Sequence, residues 1–185
     1  RNELLNFYRQ YYASTNAMVV IVGAVNRQSA EMIAEAVLQH LPKGNKAQEL
    51  QVAHDLPVKE QRIEHDSTQT HIMWGQLGYR RGDSDKYALY LGNYILGGGG
   101  FVSRLTDEVR EKRGLSYSVY SYFSPVKSGG SFVLGLQTKN AKADESLEVI
   151  RKTLARFLKE GPTEKELIAA KKNITGGFPL KIDSN

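Results

Sequence analysis

Four consecutive glycines at residues 97–100 precede a charged helical segment that ends at Gly114, and these glycines constrain where helices can begin and end in the middle of the chain. Glycine adopts positive φ at little cost, whereas residues with side chains rarely do so. The run is therefore predicted to be a flexible turn between two helices, and Gly114 is predicted to end the second. A strand rich in Ser, Tyr and Val follows. Arg110 on the helix and Tyr117 on the strand stand seven residues apart around this corner, so we expect them to lie close together.

The spacing of apolar residues predicts an alternating series of helices and strands. Helical periodicity predicts helices over residues 2–13, 30–41, 87–96, 102–112, 144–159 and 164–174. Apolar runs and alternation predict strands over residues 17–23, 58–65, 68–77, 115–124 and 130–138. The second and third strands are predicted to form a hairpin. This order indicates an α+β fold, with a mostly antiparallel sheet and helices packed on one face.

Composition limits the classes of partner. The chain has 185 residues, 41% hydrophobic and 24% charged, which suits one ordinary domain. No apolar run approaches the roughly 18 residues that a membrane span needs, so we expect none in this segment. The net charge of +5 comes from charges that mostly alternate in sign along helices, and nucleic acid is not an expected partner. The absence of cysteine excludes disulfides and cysteine-ligated zinc.

The histidines do not form a recognisable metal motif. His65 and His71 are six residues apart and fall on two different predicted strands. Residues 61–65 come nearest to a His-x-x-Glu-His zinc motif, but Gln61 stands where the first histidine would be. The segment is also predicted to be a strand, whereas such a motif needs a helix. No metal site is therefore predicted in this chain.

Other catalytic patterns are also missing. The glycine run lacks the third glycine of a dinucleotide-binding loop and the lysine of a P-loop, so nucleotide binding is not expected. An alternative role for this loop is movement when a substrate binds. A Gly-x-Ser-x-Gly nucleophile motif is absent. Arg110 and Tyr117 remain as candidates, although a helical arginine and a strand tyrosine are ordinary when considered singly.

The sequence around these two residues resembles a known family. The runs ILGGGGFVSRL at residues 95–105 and REKRGLSYSVYS at residues 110–121 closely resemble the non-zinc domain of insulinase/pitrilysin-type zinc peptidases. Mitochondrial processing peptidase and the respiratory-complex core proteins belong to the same group. Residues 7–23 look like the opening of that domain, and residues 67–72 and 174–180 look like its bacterial branch. The resemblance thus covers essentially the whole chain.

The resemblance implies a function and a set of site residues. Residues 1–185 would be a single domain, the inactive C-terminal half of a peptidase subunit, truncated at its own C-terminus after residues 183–185. Arg110 and Tyr117 would be the catalytic and substrate-binding residues, which bind the substrate carbonyl oxygen and stabilise the tetrahedral intermediate. Zn²⁺ would be held by a zinc-bearing peptidase domain or subunit, with no cofactor in this segment. Alone, the segment is expected not to hydrolyse its peptide substrate.

Two questions stay open at this point. The zinc motif belongs either to a missing half of the same chain or to a partner subunit in a heterodimer, and the bacterial-branch segments favour the partner subunit. The function is either that of a peptidase half or that of a non-catalytic structural and assembly module. Retention of Arg110 and Tyr117 favours the peptidase. The resemblance favours the bacterial periplasm or cell envelope as the compartment.

Overall fold

A three-stranded antiparallel sheet with helices on one face is the main feature of the computed structural model, and it confirms the predicted α+β fold. The structure describes residues 1–52, 54 and 57–182. These fall into two units, Arg1–Leu50 and Gln51–Asn185, each described separately below. The expectation of a single domain stays a prediction. The truncation expected after residues 183–185 concerns positions outside the described residues.

The first unit contains two of the predicted helices. Helix α1 spans Asn2–Tyr11, a short 3₁₀ turn spans Ser14–Asn16, and helix α2 spans Arg27–Leu38. Asn26 caps α2, because its side-chain oxygen accepts a hydrogen bond from the Ser29 amide at 2.8 Å.

The strand predicted over residues 17–23 is wrong. These residues have no regular structure, and Met18, Val20 and Val22 are exposed. A strand exists only through hydrogen bonds to a neighbouring strand, and none of the described residues forms a ladder with this segment. The apolar run at residues 17–23 predicted a buried strand, but its large apolar side chains are exposed in the structure.

The second unit contains the sheet, in the strand order β1–β3–β2. Strand β1 spans Gln69–Leu77, β2 spans Ser116–Val126 and β3 spans Gly129–Lys139. All three agree with predicted strands. The hairpin predicted between residues 58–65 and β1 is wrong, because residues 58–65 form no strand and β1 pairs with β3 instead. Polar alternation in residues 58–65 thus belongs to an exposed segment.

The four helices predicted in the second unit are all present and in the predicted order, and two short 3₁₀ turns, Gly100–Val102 and Asn140–Lys142, were not predicted. Helix α3 spans Lys86–Asn93 and continues into a π-helical turn, Tyr94–Gly98. A second helix covers residues 104–111 and is π-helical over Thr106–Glu111; it is called the arginine helix below. Helices α4 and α5 span Ala143–Glu160 and Glu164–Ile182, so α5 is longer than predicted. Among the described residues, no helix is both long enough and apolar enough to cross a membrane.

The hydrophobic core fixes the arginine helix to the sheet. Leu105 and Val109 on this helix are fully buried, as is Ile150 on α4. They belong to one cluster with the inward-facing residues of β3, among them Leu134 and Leu136. Residues beside Leu105 and Val109 in the helix therefore have a fixed position relative to β2 and β3.

Candidate active site

The glycine run packs closely against strand β2 before the chain turns. A methyl group on Gly97 would lie 2.7 Å from Leu105 Cδ1 and 2.9 Å from the Ser121 amide nitrogen. The side chain of Asn93 forms two hydrogen bonds at the same place. It donates to the Ser121 carbonyl at 3.1 Å and accepts from the Ser121 hydroxyl at 2.7 Å. Gly97 is therefore required for close packing. Of its four glycines, Gly100 alone has a positive φ, +61°, as the predicted turn requires.

A closed turn connects the glycine run to the arginine helix. The Gly100 carbonyl accepts hydrogen bonds from both the hydroxyl and the amide of Ser103, at 2.7 and 3.1 Å. Ser103 is fully buried, and its own carbonyl accepts from the Asp107 amide at 3.0 Å in the helix that follows. Between them, Phe101 is held at the surface with 70% of its area exposed. The turn thus fixes the backbone that carries an exposed aromatic ring.

Gly114 ends the arginine helix as predicted, and an irregularity in β2 then turns Tyr117 outward. Gly114 has a φ of +59°, and its amide donates to the Arg110 carbonyl at 2.8 Å. The pairing of β2 with β3 shifts between Ser116 and Val119, so both of these residues are buried. Bulges of this kind redirect side chains. Tyr117, between them, is 85% exposed.

Arg110 and Tyr117 are in contact in the structure. The guanidinium carbon of Arg110 lies 4.8 Å from the centroid of the Tyr117 ring and 4.5 Å from that of the Phe101 ring. Both are cation–π distances. We call these two residues the Arg–Tyr pair. The expectation that they lie close together is confirmed, and their catalytic role stays a prediction.

The environment of Arg110 differs from that of a neighbouring structural arginine. Arg104 donates two 2.7 Å hydrogen bonds to the Glu166 carboxylate and one to the Gly161 carbonyl. Arg110 instead lies 3.4 Å from one Glu111 oxygen and contacts aromatic rings. Ring contacts compete less for guanidinium N–H groups than a two-point carboxylate contact does, so Arg110 keeps donors for a ligand that Arg104 does not.

A buried carboxylate holds the arginine helix to α4. Glu108 is 8% exposed and accepts hydrogen bonds from Arg156 at 2.9 Å, Lys112 at 3.0 Å and Arg113 at 2.6 Å. These bonds, from Arg156 first and then Lys112, lower the pKa of Glu108 to about 2. The carboxylate is therefore ionised at neutral pH and fixes the orientation of the helix two residues before Arg110.

The described residues provide no metal site. No group of three or more His, Asp or Glu side chains within residues 1–52, 54 and 57–182 is placed to hold a metal ion. His71 lies on β1, whereas His65 lies in the irregular segment before it. The side chains of these described residues therefore do not supply the donor set of a zinc centre.

Two features of the site were missed from the sequence. Phe101 is nine residues before Arg110, across a turn, and no helical or strand spacing connects them. The spacing of Glu108 and Lys112 is a recognisable i,i+4 ion pair. Glu108 and Arg156 are 48 residues apart in the chain, and no local sequence pattern predicts their contact.

The family model for the peptidase M16 inactive domain matches residues 1–174. The chain is 29% identical over 183 residues to the uncharacterized zinc protease YmxG of Bacillus subtilis, covering 99% of this chain and 44% of that protein. It is 32% identical over 177 residues to the non-peptidase homolog YmxG of Helicobacter pylori, covering 91% and 39%. The chain thus spans less than half the length of these relatives.

A solved structure agrees with both the sequence match and the fold. The peptidase M16 inactive domain from Pseudomonas fluorescens superposes with a TM-score of 0.89 at 42% sequence identity, covering 95% of this chain and 42% of that one. The resemblance to the non-zinc domain of this peptidase family is therefore confirmed. On the family match and on this structural agreement, the chain belongs to the peptidase M16 inactive-domain family.

Proposed function

We propose that residues 1–185 are the C-terminal, non-zinc half of a zinc metalloendopeptidase, which binds the peptide substrate and stabilises the oxyanion formed during its hydrolysis. The observation that carries the proposal is the contact between the Arg110 guanidinium and the Tyr117 ring at 4.8 Å. A permanent cation and the ring of a phenol meet there, at the corner between a helix and a strand. Both residue types donate hydrogen bonds at neutral pH.

Arg110 is suited to bind negative charge that develops on a carbonyl oxygen. A guanidinium stays protonated at any pH that an enzyme meets, so its N–H groups are always donors. Its side chain keeps 29% exposure, and its guanidinium carbon lies 4.5 Å and 4.8 Å from two aromatic ring centroids. Preorganised donors of this kind are worth more in the transition state than in the ground state, because the oxygen gains charge there.

Tyr117 supplies a second donor from a different element. It is 85% exposed, and the irregularity in β2 turns it away from the core, so its hydroxyl is accessible to a ligand. The core anchors the helix that bears Arg110 to the sheet that bears Tyr117. The backbone positions that carry the two donors therefore keep their spacing without help from the substrate, which lowers the reorganisation needed during the reaction.

The metal belongs to another part of the assembly in this proposal. The donor set of the described residues does not fit zinc, and the chain spans 44% of the Bacillus relative named a zinc protease. We propose that a zinc-bearing domain of the same protein, or a zinc-bearing subunit in a heterodimer, faces the Arg–Tyr pair across the bound peptide. This chain contributes binding and hydrogen-bond donation, and by itself it is inactive.

The test is peptidase activity of the full-length protein together with its zinc-bearing domain or subunit, measured on a library of internally quenched peptides. Arg110→Ala and Tyr117→Phe should each lower kcat by about 10²- to 10³-fold, the usual effect of removing one oxyanion donor. Arg80→Ala and Tyr87→Phe are matched controls, because both residues are exposed and belong to the same unit as the Arg–Tyr pair without being part of it. Unchanged kcat in both site variants would overturn the proposal.

A second candidate is a non-catalytic structural module. It is favoured by the Helicobacter pylori relative, which is 32% identical and named a non-peptidase homolog. In that case Arg110→Ala and Tyr117→Phe would leave both the assembly and the cellular role of the protein intact. Loss of peptidase activity with unchanged association of the subunits, measured by analytical ultracentrifugation, would exclude this second function.

A further inference from the structure

Phe101 is exposed in a way that burial of apolar surface does not explain. The residue is 70% exposed, so it gains little from the hydrophobic effect where it stands. The turn that carries it is nevertheless closed by two hydrogen bonds from the fully buried Ser103 to the Gly100 carbonyl. An exposed ring on a fixed backbone indicates that its position serves a contact.

That contact is with Arg110. The Phe101 ring centroid lies 4.5 Å from the guanidinium carbon, slightly nearer than the Tyr117 centroid at 4.8 Å. An arginine side chain has several rotatable bonds, and holding it in one geometry costs conformational entropy. A second aromatic face restricts the guanidinium before a substrate arrives. The ring adds this restriction without a further carboxylate, so Glu111, at 3.4 Å from Arg110 Nε, stays the acidic neighbour that the structure gives this guanidinium among the described residues.

We propose that Phe101 is a positioning residue for Arg110, which holds the guanidinium beside Tyr117 through the face of its ring. The inference rests on the proposed function of the Arg–Tyr pair. Close packing accounts for Gly97 but not for the exposed turn that follows it, and positioning of Arg110 would account for that turn. The negative face of the Phe101 ring attracts the guanidinium, and an aliphatic side chain of similar size lacks this attraction.

The first test separates the aromatic face from apolar bulk. In the full-length protein with its zinc-bearing domain or subunit, Phe101→Leu should lower kcat by about 3- to 10-fold with little change in KM, the range that corresponds to a cation–π contact. Phe101→Trp should retain wild-type kcat. Val102→Ala is the matched control, because Val102 is the adjacent residue and is 73% exposed. Thermal unfolding of each variant checks that the fold is intact.

A second measurement reports on the guanidinium itself. In the substrate-free protein the Nε–Hε resonance of Arg110, assigned by its loss in Arg110→Lys, should be shifted upfield by the neighbouring rings. Phe101→Leu should move it toward the value of an exposed arginine, and Phe101→Trp should not. Wild-type kcat and an unmoved resonance in Phe101→Leu would overturn the inference, as would equal loss of kcat in the Leu and Trp variants.

The same assay distinguishes failure of this inference from failure of the proposed function. If Arg110→Ala loses activity while Phe101→Leu does not, the Arg–Tyr pair is catalytic and Phe101 does not position it. If Arg110→Ala retains full activity, the proposed function itself is wrong, and with it the role assigned to Phe101.

Discussion

The Glu108 carboxylate lies 2.9 Å from the Arg156 guanidinium, and this ion pair joins the arginine helix to α4. Arg113 and Lys112 donate to the same carboxylate at 2.6 and 3.0 Å. One carboxylate thus forms ion pairs with three cationic side chains close to Arg110. The geometry of the candidate active site depends on this connection as well as on the hydrophobic core.

Removal of the carboxylate charge should destabilise the protein. Glu108→Gln keeps the shape of the side chain and weakens three charge-assisted hydrogen bonds, with an expected loss of about 1–3 kcal/mol in the free energy of unfolding. Urea denaturation measures it. Glu148→Gln is the matched control, because Glu148 is 58% exposed and its pair with Lys152 is of the surface kind, worth less than about 0.5 kcal/mol. Equal effects of the two substitutions would contradict the structural role of Glu108.

The low pKa of Glu108 predicts an acid-dependent loss of stability. Hydrogen bonds lower this pKa from 4.5 to about 2 in the folded protein, so the unfolded chain binds a proton more readily. The stabilisation is therefore complete above pH 4.5 and is lost as the pH falls toward 2. Unfolding free energies of wild type and Glu108→Gln should converge over this range. A difference that stays constant from pH 7 to pH 2 would show that the carboxylate charge is not involved.

The close packing of Gly97 predicts an unusual cost for a small substitution. Gly97→Ala would force a methyl group against Leu105 and Ser121, and overpacking of this kind costs about 1–3 kcal/mol. Gly176→Ala is the control, since nothing lies within 4 Å of the added carbon and the residue is inside α5. That variant should be neutral or more stable by up to about 1 kcal/mol. Similar melting temperatures for the two variants would show that the Gly97 contact is loose.

Local chemistry decides the parts of the structure that could be predicted from the sequence. Gly114 at the end of a helix and the alternation in β2 and β3 each have a local physical cause, and the structure contains each of them. Contact between Arg110 and Tyr117 followed from the helix-to-strand corner. These features depend on residues that are near one another in the chain.

The errors concern features that depend on distant partners. Residues 17–23 and 58–65 have strand-like patterns, but pairing decides whether a strand forms, and a pattern does not reveal its partner. The glycine run was interpreted as a flexible turn. Its packing partner Ser121 lies on a strand more than twenty residues later, so the close packing could not be predicted from the local sequence. Phe101 and Arg156 reach the site for the same reason, through tertiary contacts alone.

If the Arg–Tyr pair stabilises the transition state, its loss should weaken binding of a transition-state mimic far more than binding of the substrate. In the full-length protein with its zinc-bearing domain or subunit, the measurement is the Ki of a phosphinic peptide and the KM of the matching substrate, for wild type, Tyr117→Phe and Arg110→Lys. The account predicts that each substitution raises Ki by about 10²-fold and KM by less than about 3-fold, because the donors act on charge that the ground state lacks. Equal changes in Ki and KM, or no change in either, would contradict it.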